Sequence, residues 1–135
     1  MNREILFKAK RIDNGEWAEG FYTYCDGKYY IRLLTDENSR YVRSFFEVDA
    51  STICQYTGLT DKNGNKIWEN DIVNCIEAEC CGQISWNESE ACFCFDLLME
   101  DGGFEENNID EYVDCMEVVG NIFDNPELLE GGAEE

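Results

Sequence analysis

The chain contains no histidine, a single proline and, beyond Lys66, no lysine or arginine at all. Without an imidazole, Ser-His-Asp triads, Cys-His nucleophiles and histidine-ligated metals are excluded. Without cations in the second half, a basic nucleic-acid-binding face is excluded there. No apolar run approaches the roughly 18 residues of a membrane span. The polar residues after Met1 do not read as a signal peptide, so the expected compartment is the cytoplasm, with no membrane partner.

Of the 135 residues, 44% are hydrophobic and 13% aromatic, a globular composition rather than that of a disordered acidic tail. A chain of this length buries about 68% of its extended surface, enough for a core without disulfides or metal. The charge is divided unevenly. Residues 1–66 hold ten Lys and Arg against ten Asp and Glu, whereas residues 67–135 hold twenty acids and no base, and the formal net charge is -20. One reading is a solvated acidic surface of an acidic proteome. The sharper reading is an acidic face that meets a cationic partner through long-range fields. Cation binding is the third.

The eight cysteines are Cys25, Cys54, Cys75, Cys80, Cys81, Cys92, Cys94 and Cys115. In a reducing compartment they are thiols by default. Their spacings, C-x4-C-C and C-x-C, lack the C-x-x-C knuckle of zinc sites. Buried thiols acting as small hydrophobes are the expectation, although Cys75, Cys80, Cys81, Cys92 and Cys94 could still meet around a metal across neighbouring strands. In 91–95, alternation puts Cys92 and Cys94 on one face of a strand and Phe93 and Phe95 on the other. No base can be assigned to any cysteine, so no catalytic residue is identified, no metal site is assigned and no cofactor is expected.

The elements read as mainly β. Strands are predicted over 4–12, 17–24, 29–34, 41–46 and 53–59, with hairpin turns at Asn14-Gly15 and Asp26-Gly27; the first half is an antiparallel meander. Thr35 to Arg40 reads as a polar loop. After the turn 61–66 come Ile67-Trp68, a strand from Ile72 continuing through 75–79, and strands over 83–86, 91–99 and 117–122. Residues 105–110 read as acidic loop or helical turn. Asn125-Pro126-Glu127 reads as the capped start of a short C-terminal helix. The predicted division is one domain over 1–130, with the meander in 1–50, a barrel part and helical turn in 51–130, and a disordered tail at 131–135.

Individual motifs carry little chemistry. Asp61-x-Asn63-x-Asn65 matches the first ligands of a calcium loop, but Lys66 and Ile72 stand where that loop needs Gly and Glu. The expected role is a turn in which Asn63-Gly64 supplies positive φ. Acid pairs abound (Glu69 and Asp71, Glu77 and Glu79, Glu88 and Glu90, Glu105 and Glu106, Asp110 and Glu111), and twenty acids in one half produce such neighbours by chance. Trp17, Tyr22, Tyr24, Tyr29, Tyr30, Trp68 and Trp86 fall in strands; core packing is the expectation for them, with a base-stacking platform as the alternative.

Two segments are more specific: Gln55-Tyr56-Thr57-Gly58-Leu59-Thr60-Asp61-Lys62-Asn63-Gly64, running on through Ile67-Trp68-Glu69-Asn70-Asp71-Ile72-Val73, and Val119-Gly120-Asn121-Ile122-Phe123-Asp124-Asn125-Pro126-Glu127-Leu128-Leu129. Together they resemble the YopX family of bacteriophage and prophage proteins. The resemblance implies a β-rich fold containing an SH3-like barrel, and a phage or prophage origin, but no particular activity. Asn70 departs from the family's usual Gly; Asn also tolerates the left-handed conformation. The implied fold markers are Tyr56, Gly58, Gly64, Trp68, Gly120, Asn121, Asn125 and Pro126. Gln55, Thr57, Asp61, Glu69 and Asp71 are the candidate binding residues, if the motif lines a groove rather than tying turns by side-chain to backbone hydrogen bonds.

The function these features favour is a non-enzymatic, phage-encoded interaction protein whose acidic half binds a basic host or phage protein, in the extreme as a DNA mimic, without contacting nucleic acid itself. A self-assembling scaffold, a homo-oligomer joined by edge strands, is the alternative. A metal-dependent enzyme is the third reading.

Overall fold

Asp26 (φ 56°) and Gly27 (φ 82°) both adopt the left-handed conformation, the two-residue turn whose twist matches that of the strands it joins. They connect β2 (Trp17–Cys25) to β3 (Lys28–Leu33). The computed structural model describes residues 5–33, 45–75, 80–98, 103–109 and 113–129. The expected polar loop 35–40, the first residues of the strand over 41–46, the pairs Glu77/Glu79 and Asp110/Glu111, and the tail 131–135 lie outside the described residues.

The remaining strands are β1 (Phe7–Lys10), β4 (Phe45–Val48), β5 (Cys54–Thr60), β6 (Lys66–Trp68), β7 (Asp71–Cys75), β8 (Cys80–Asn87), β9 (Cys92–Leu98), β10 (Phe104–Asn108) and β11 (Met116–Asn121). They form a six-stranded sheet of order β4-β3-β2-β1-β5-β6 and a five-stranded sheet of order β10-β9-β8-β7-β11. The chain divides into two compact units, Met1–Tyr56 and Thr57–Glu135, with the boundary inside β5.

The first unit is an antiparallel meander, with Ala9 opposite Ala18, Tyr22 opposite Ile31 and Ile31 opposite Phe46. Its core is Ala9, Ala18, Ile31 and Val48, flanked by Phe7, Tyr29 and Ile53. β2 and β4 carry much aromatic surface. Phe21, Tyr22, Tyr24 and Phe45 are exposed, and Phe7, Tyr22, Tyr29 and Tyr24 form a chain of ring contacts at 4.8–6.1 Å. Core packing, expected for the strand aromatics, is therefore corrected for Tyr22, Tyr24 and Trp86, and holds for Trp68. Sequence alternation marks which aromatics share a face but not whether a second layer covers that face.

The second unit has the larger core: Ile67, Val73, Cys75, Ile84, Phe93, Phe95, Leu97, Ile109 and Met116. Phe93, Phe95 and Leu97 point inward from β9 while Cys92, Cys94 and Asp96 lie on its other face, the alternation expected from the sequence. β7 is buried on both sides, with Ile72 and Val73 at 0% exposure. Its partners are β8 and, from much later in the chain, β11.

Three expectations are corrected. The SH3-like barrel is not found: the five-stranded sheet is open, and β10 and β11 end it without pairing to each other among the described residues. The C-terminal helix is a single 3-10 turn, Pro126–Leu129. Asn125 does not cap it in the expected way, since its Oδ1 accepts instead from the Asn121 N–H (3.3 Å) and packs where a Cβ on Gly120 would stand. Finally, residues 105–110 contain β10, whose Glu-Glu-Asn-Asn run hid a strand that is exposed and lies at the sheet edge. Charged residues on edge strands are a common guard against unwanted pairing.

Candidate functional site

In the family-like motif, Thr57, Asp61 and Asp71 face inward to the backbone. Asp61, 5% exposed, accepts through Oδ1 from the N–H groups of Asn63 and Asn65 (both 2.9 Å) and through Oδ2 from the Val118 N–H (3.0 Å). Burial pushes its carboxyl up, but the N–H groups of Val118, Asn65 and Asn63 outweigh that and hold it below the ordinary range. The turn's positive φ belongs to Gly64 alone (85°); Asn63 does not share it. Asp71, 2% exposed, accepts from the Trp68 N–H at 2.9 Å. Thr57 donates its hydroxyl to the Ile67 carbonyl at 2.7 Å and accepts from the Leu59 N–H. Glu69 is half-buried beside Asn70, whose φ of 73° is the left-handed turn expected of it. Gln55 stands in the first unit opposite Phe7. Tyr56 and Trp68 are buried, and Gly58 has φ 90°.

The exposed acidic chemistry lies elsewhere, on the outward face of β8, β9 and β10. Asp96 is directly opposite Gln83 on one side and Glu106 on the other. Glu106 reaches across β9 to accept from Asn87 Nδ2 at 2.9 Å, and it engages the Cys94 thiol below it. Cys94 is 4% exposed, and its Sγ lies 3.9 Å from that of Cys92. Burial, then the bonds to Cys92 and Glu106, push the Cys94 thiol up to about 12, so it stays protonated. Burial also raises the Asp96 carboxyl; the Ser85 hydroxyl pulls it back, and the Glu106 charge raises it again. Glu88 and Glu90 are exposed on the turn from β8 to β9. Among the described residues, no three Cys, Asp or Glu side chains are placed to hold a metal ion.

Asp96 and Glu106 are like charges set opposite each other, and residues 67–135 supply no base to offset them. Replacing Asp96 by asparagine keeps an acceptor for Ser85 and removes a like charge opposite Glu106. The Asp96→Asn protein is expected to be more stable at pH 7 by about 0.5 kcal/mol, read as a higher urea midpoint. The sign follows from the raised folded pKa. The penalty is full above the raised folded value, shrinks as pH falls through it and is gone below the unfolded value, so the two proteins converge in acid. A lower midpoint for the variant at pH 7 would contradict it.

The acidic half is legible in the sequence, but the placement of Asp96 opposite Glu106 is not, since 105–110 reads as acidic loop or helical turn. No helix of the described residues is long and apolar enough to cross a membrane. No curated protein matches the chain. A family model described as YopX protein matches residues 6–130, nearly the whole length.

Proposed function

We propose, from the premise that the chain belongs to the YopX family, that it is a non-enzymatic, phage-encoded protein that binds a basic host or phage protein in the bacterial cytoplasm. The observation that carries the reading is the outward face of β8–β10. There Asp96 and Glu106 stand opposite each other, Glu88 and Glu90 flank them on the neighbouring turn, and no cation is available from residues 67–135. Such a field raises the encounter rate with a positively charged surface and discriminates against acidic ones, nucleic acid included. Spaced carboxylates of this kind are also what a decoy for the phosphate backbone needs. The Cys94 thiol on this face is held protonated, which favours binding over thiol catalysis.

The test is capture on the immobilised full chain at low salt, with bound proteins identified by mass spectrometry. The expected partners are basic proteins that elute as salt rises toward 1 M, where the screening length is about 3 Å. The double variant Glu88→Lys/Glu90→Lys should weaken that binding about tenfold at low salt while leaving the thermal midpoint close to wild type. Partners retained equally by wild type and variant, or insensitive to salt, would count against the reading. Self-assembly is the second reading, favoured by one observation: Phe104 is half exposed on the edge strand β10. It predicts a scattering mass that grows with concentration, which a constant monomer mass would exclude.

A further inference from the structure

The second unit also holds a thiol pair that plays no part in the acidic face. Cys75 ends β7 at 0% exposure, and Cys115 closes the 3-10 turn Val113–Cys115 that leads into β11. Forty residues separate them, yet their sulfurs are 3.2 Å apart. The backbone on both sides is fixed by pairing, because Cys75 is the register partner of Met116. A disulfide bond of about 2.05 Å is therefore within reach of a small side-chain movement. A second close pair among the described side chains is placed less well. Cys92 and Cys94 are 3.9 Å apart at sulfur on a single strand, where extended backbone holds positions i and i+2 about 6.7 Å apart, near the outer limit for a disulfide.

We propose that Cys75 and Cys115 are an oxidisable pair, a site of reversible covalent modification whose co-substrate is hydrogen peroxide. Cys115 is half-buried and meets the oxidant first. Its thiolate attacks one peroxide oxygen, the O–O bond breaks, and the departing hydroxide takes up the proton that Cys115 released, leaving water and a sulfenic acid on Cys115. The Cys75 sulfur then attacks that of Cys115. The S–S bond forms, the S–O bond breaks, and the hydroxide leaves as a second water with the Cys75 proton. Two thiols and one peroxide become one disulfide and two waters, with two electrons passing from sulfur to oxygen. A dithiol reverses the step by exchange. The bond joins β7 to the entry of β11 and closes a loop that contains β8, β9 and β10. It constrains the unfolded chain, so the oxidised protein should melt about 5–10 °C higher.

The test treats the full chain with hydrogen peroxide in a Cys25→Ser background, which removes the exposed thiol. Remaining thiols are then alkylated, and the protein is digested after glutamate, since residues 67–135 offer no tryptic site. The expected product has two thiols protected from alkylation, a crosslinked Cys75–Cys115 peptide that dithiothreitol separates, and a raised thermal midpoint. Cys115→Ser and Cys75→Ala, each checked for native circular dichroism, should both abolish it. Oxidation of Cys115 to sulfinic acid with Cys75 still alkylated would overturn the proposal. So would Cys92–Cys94 as the first intramolecular crosslink, or a lower midpoint for the crosslinked protein.

Discussion

Gly82→Ala is expected to destabilise the second unit by about 3 kcal/mol, lowering its thermal midpoint by roughly 10 °C or more. Gly82 lies mid-strand in β8, between Val73 of β7 and Leu97 of β9. A Cβ there would overlap the Phe95 ring at Cε1 and stand 2.5 Å from the Asp96 carbonyl oxygen. Neither neighbour can yield easily: the first is a core side chain at 0% exposure and the second is sheet backbone. The glycine is thus the hollow that receives Phe95, a case where strand glycine marks close approach rather than flexibility. Trimming Phe95 to leucine in the same molecule should recover part of the loss, giving a non-additive double-mutant cycle. An unchanged melting curve for Gly82→Ala would show that the ring is not seated there.

The second large effect concerns Asp61. Asp61→Asn replaces a carboxylate that serves three backbone donors, two in its own turn and one on β11. One amide oxygen cannot serve all three, and the amide N–H₂ must face at least one N–H. A loss of about 3 kcal/mol at pH 7 is expected, the scale of a charged acceptor removed from buried donors. Its pH dependence is distinctive. The folded pKa lies below the unfolded value of about 3.9, so the stabilisation is fully present above that value and is lost as pH falls through the folded one. The gap between wild type and variant in urea midpoint should be wide at pH 7 and shrink steadily as pH falls below about 3.9. A gap that persists in acid would mean that the ionised carboxylate is not what holds the turn.

Most strands were legible because turn chemistry and alternation agree. Asp26-Gly27 delivers both positive φ values, and the run 92–95 alternates cleanly between thiol and aromatic faces. Where two explanations share one signature, the sequence misled. The Glu-Glu-Asn-Asn of β10 is as polar as a loop because an edge strand exposed on its faces needs no apolar residue. Tyr22 and Tyr24 alternate like core residues, yet they are exposed, since the pattern identifies faces and not what lies above them. Asn125 fitted a helix cap but serves Asn121 instead. Aspartates of the motif were read as candidates for both ligand binding and turn bracing, and residue types alone do not separate those roles; the distances at Asp61 and Asp71 place their oxygens on main-chain N–H groups. The acidic half is visible as a charge count, whereas the pairing of Asp96 with Glu106 depends on a strand the composition conceals.

The strand order of the second unit bears on how the chain assembles. β7 through β10 are linked by neighbours in sequence, but among the described residues the far side of β7 is covered by β11, the last of these five strands in chain order. Until β11 pairs there, an apolar edge with Val73 and Cys75 lies open, and closing it requires a long loop to be gathered in. During synthesis, that unfinished edge is the one most vulnerable to mispairing with another nascent copy. The terminal segment therefore works as a latch, and a premature stop before Met116 would remove far more structure than its six strand residues suggest.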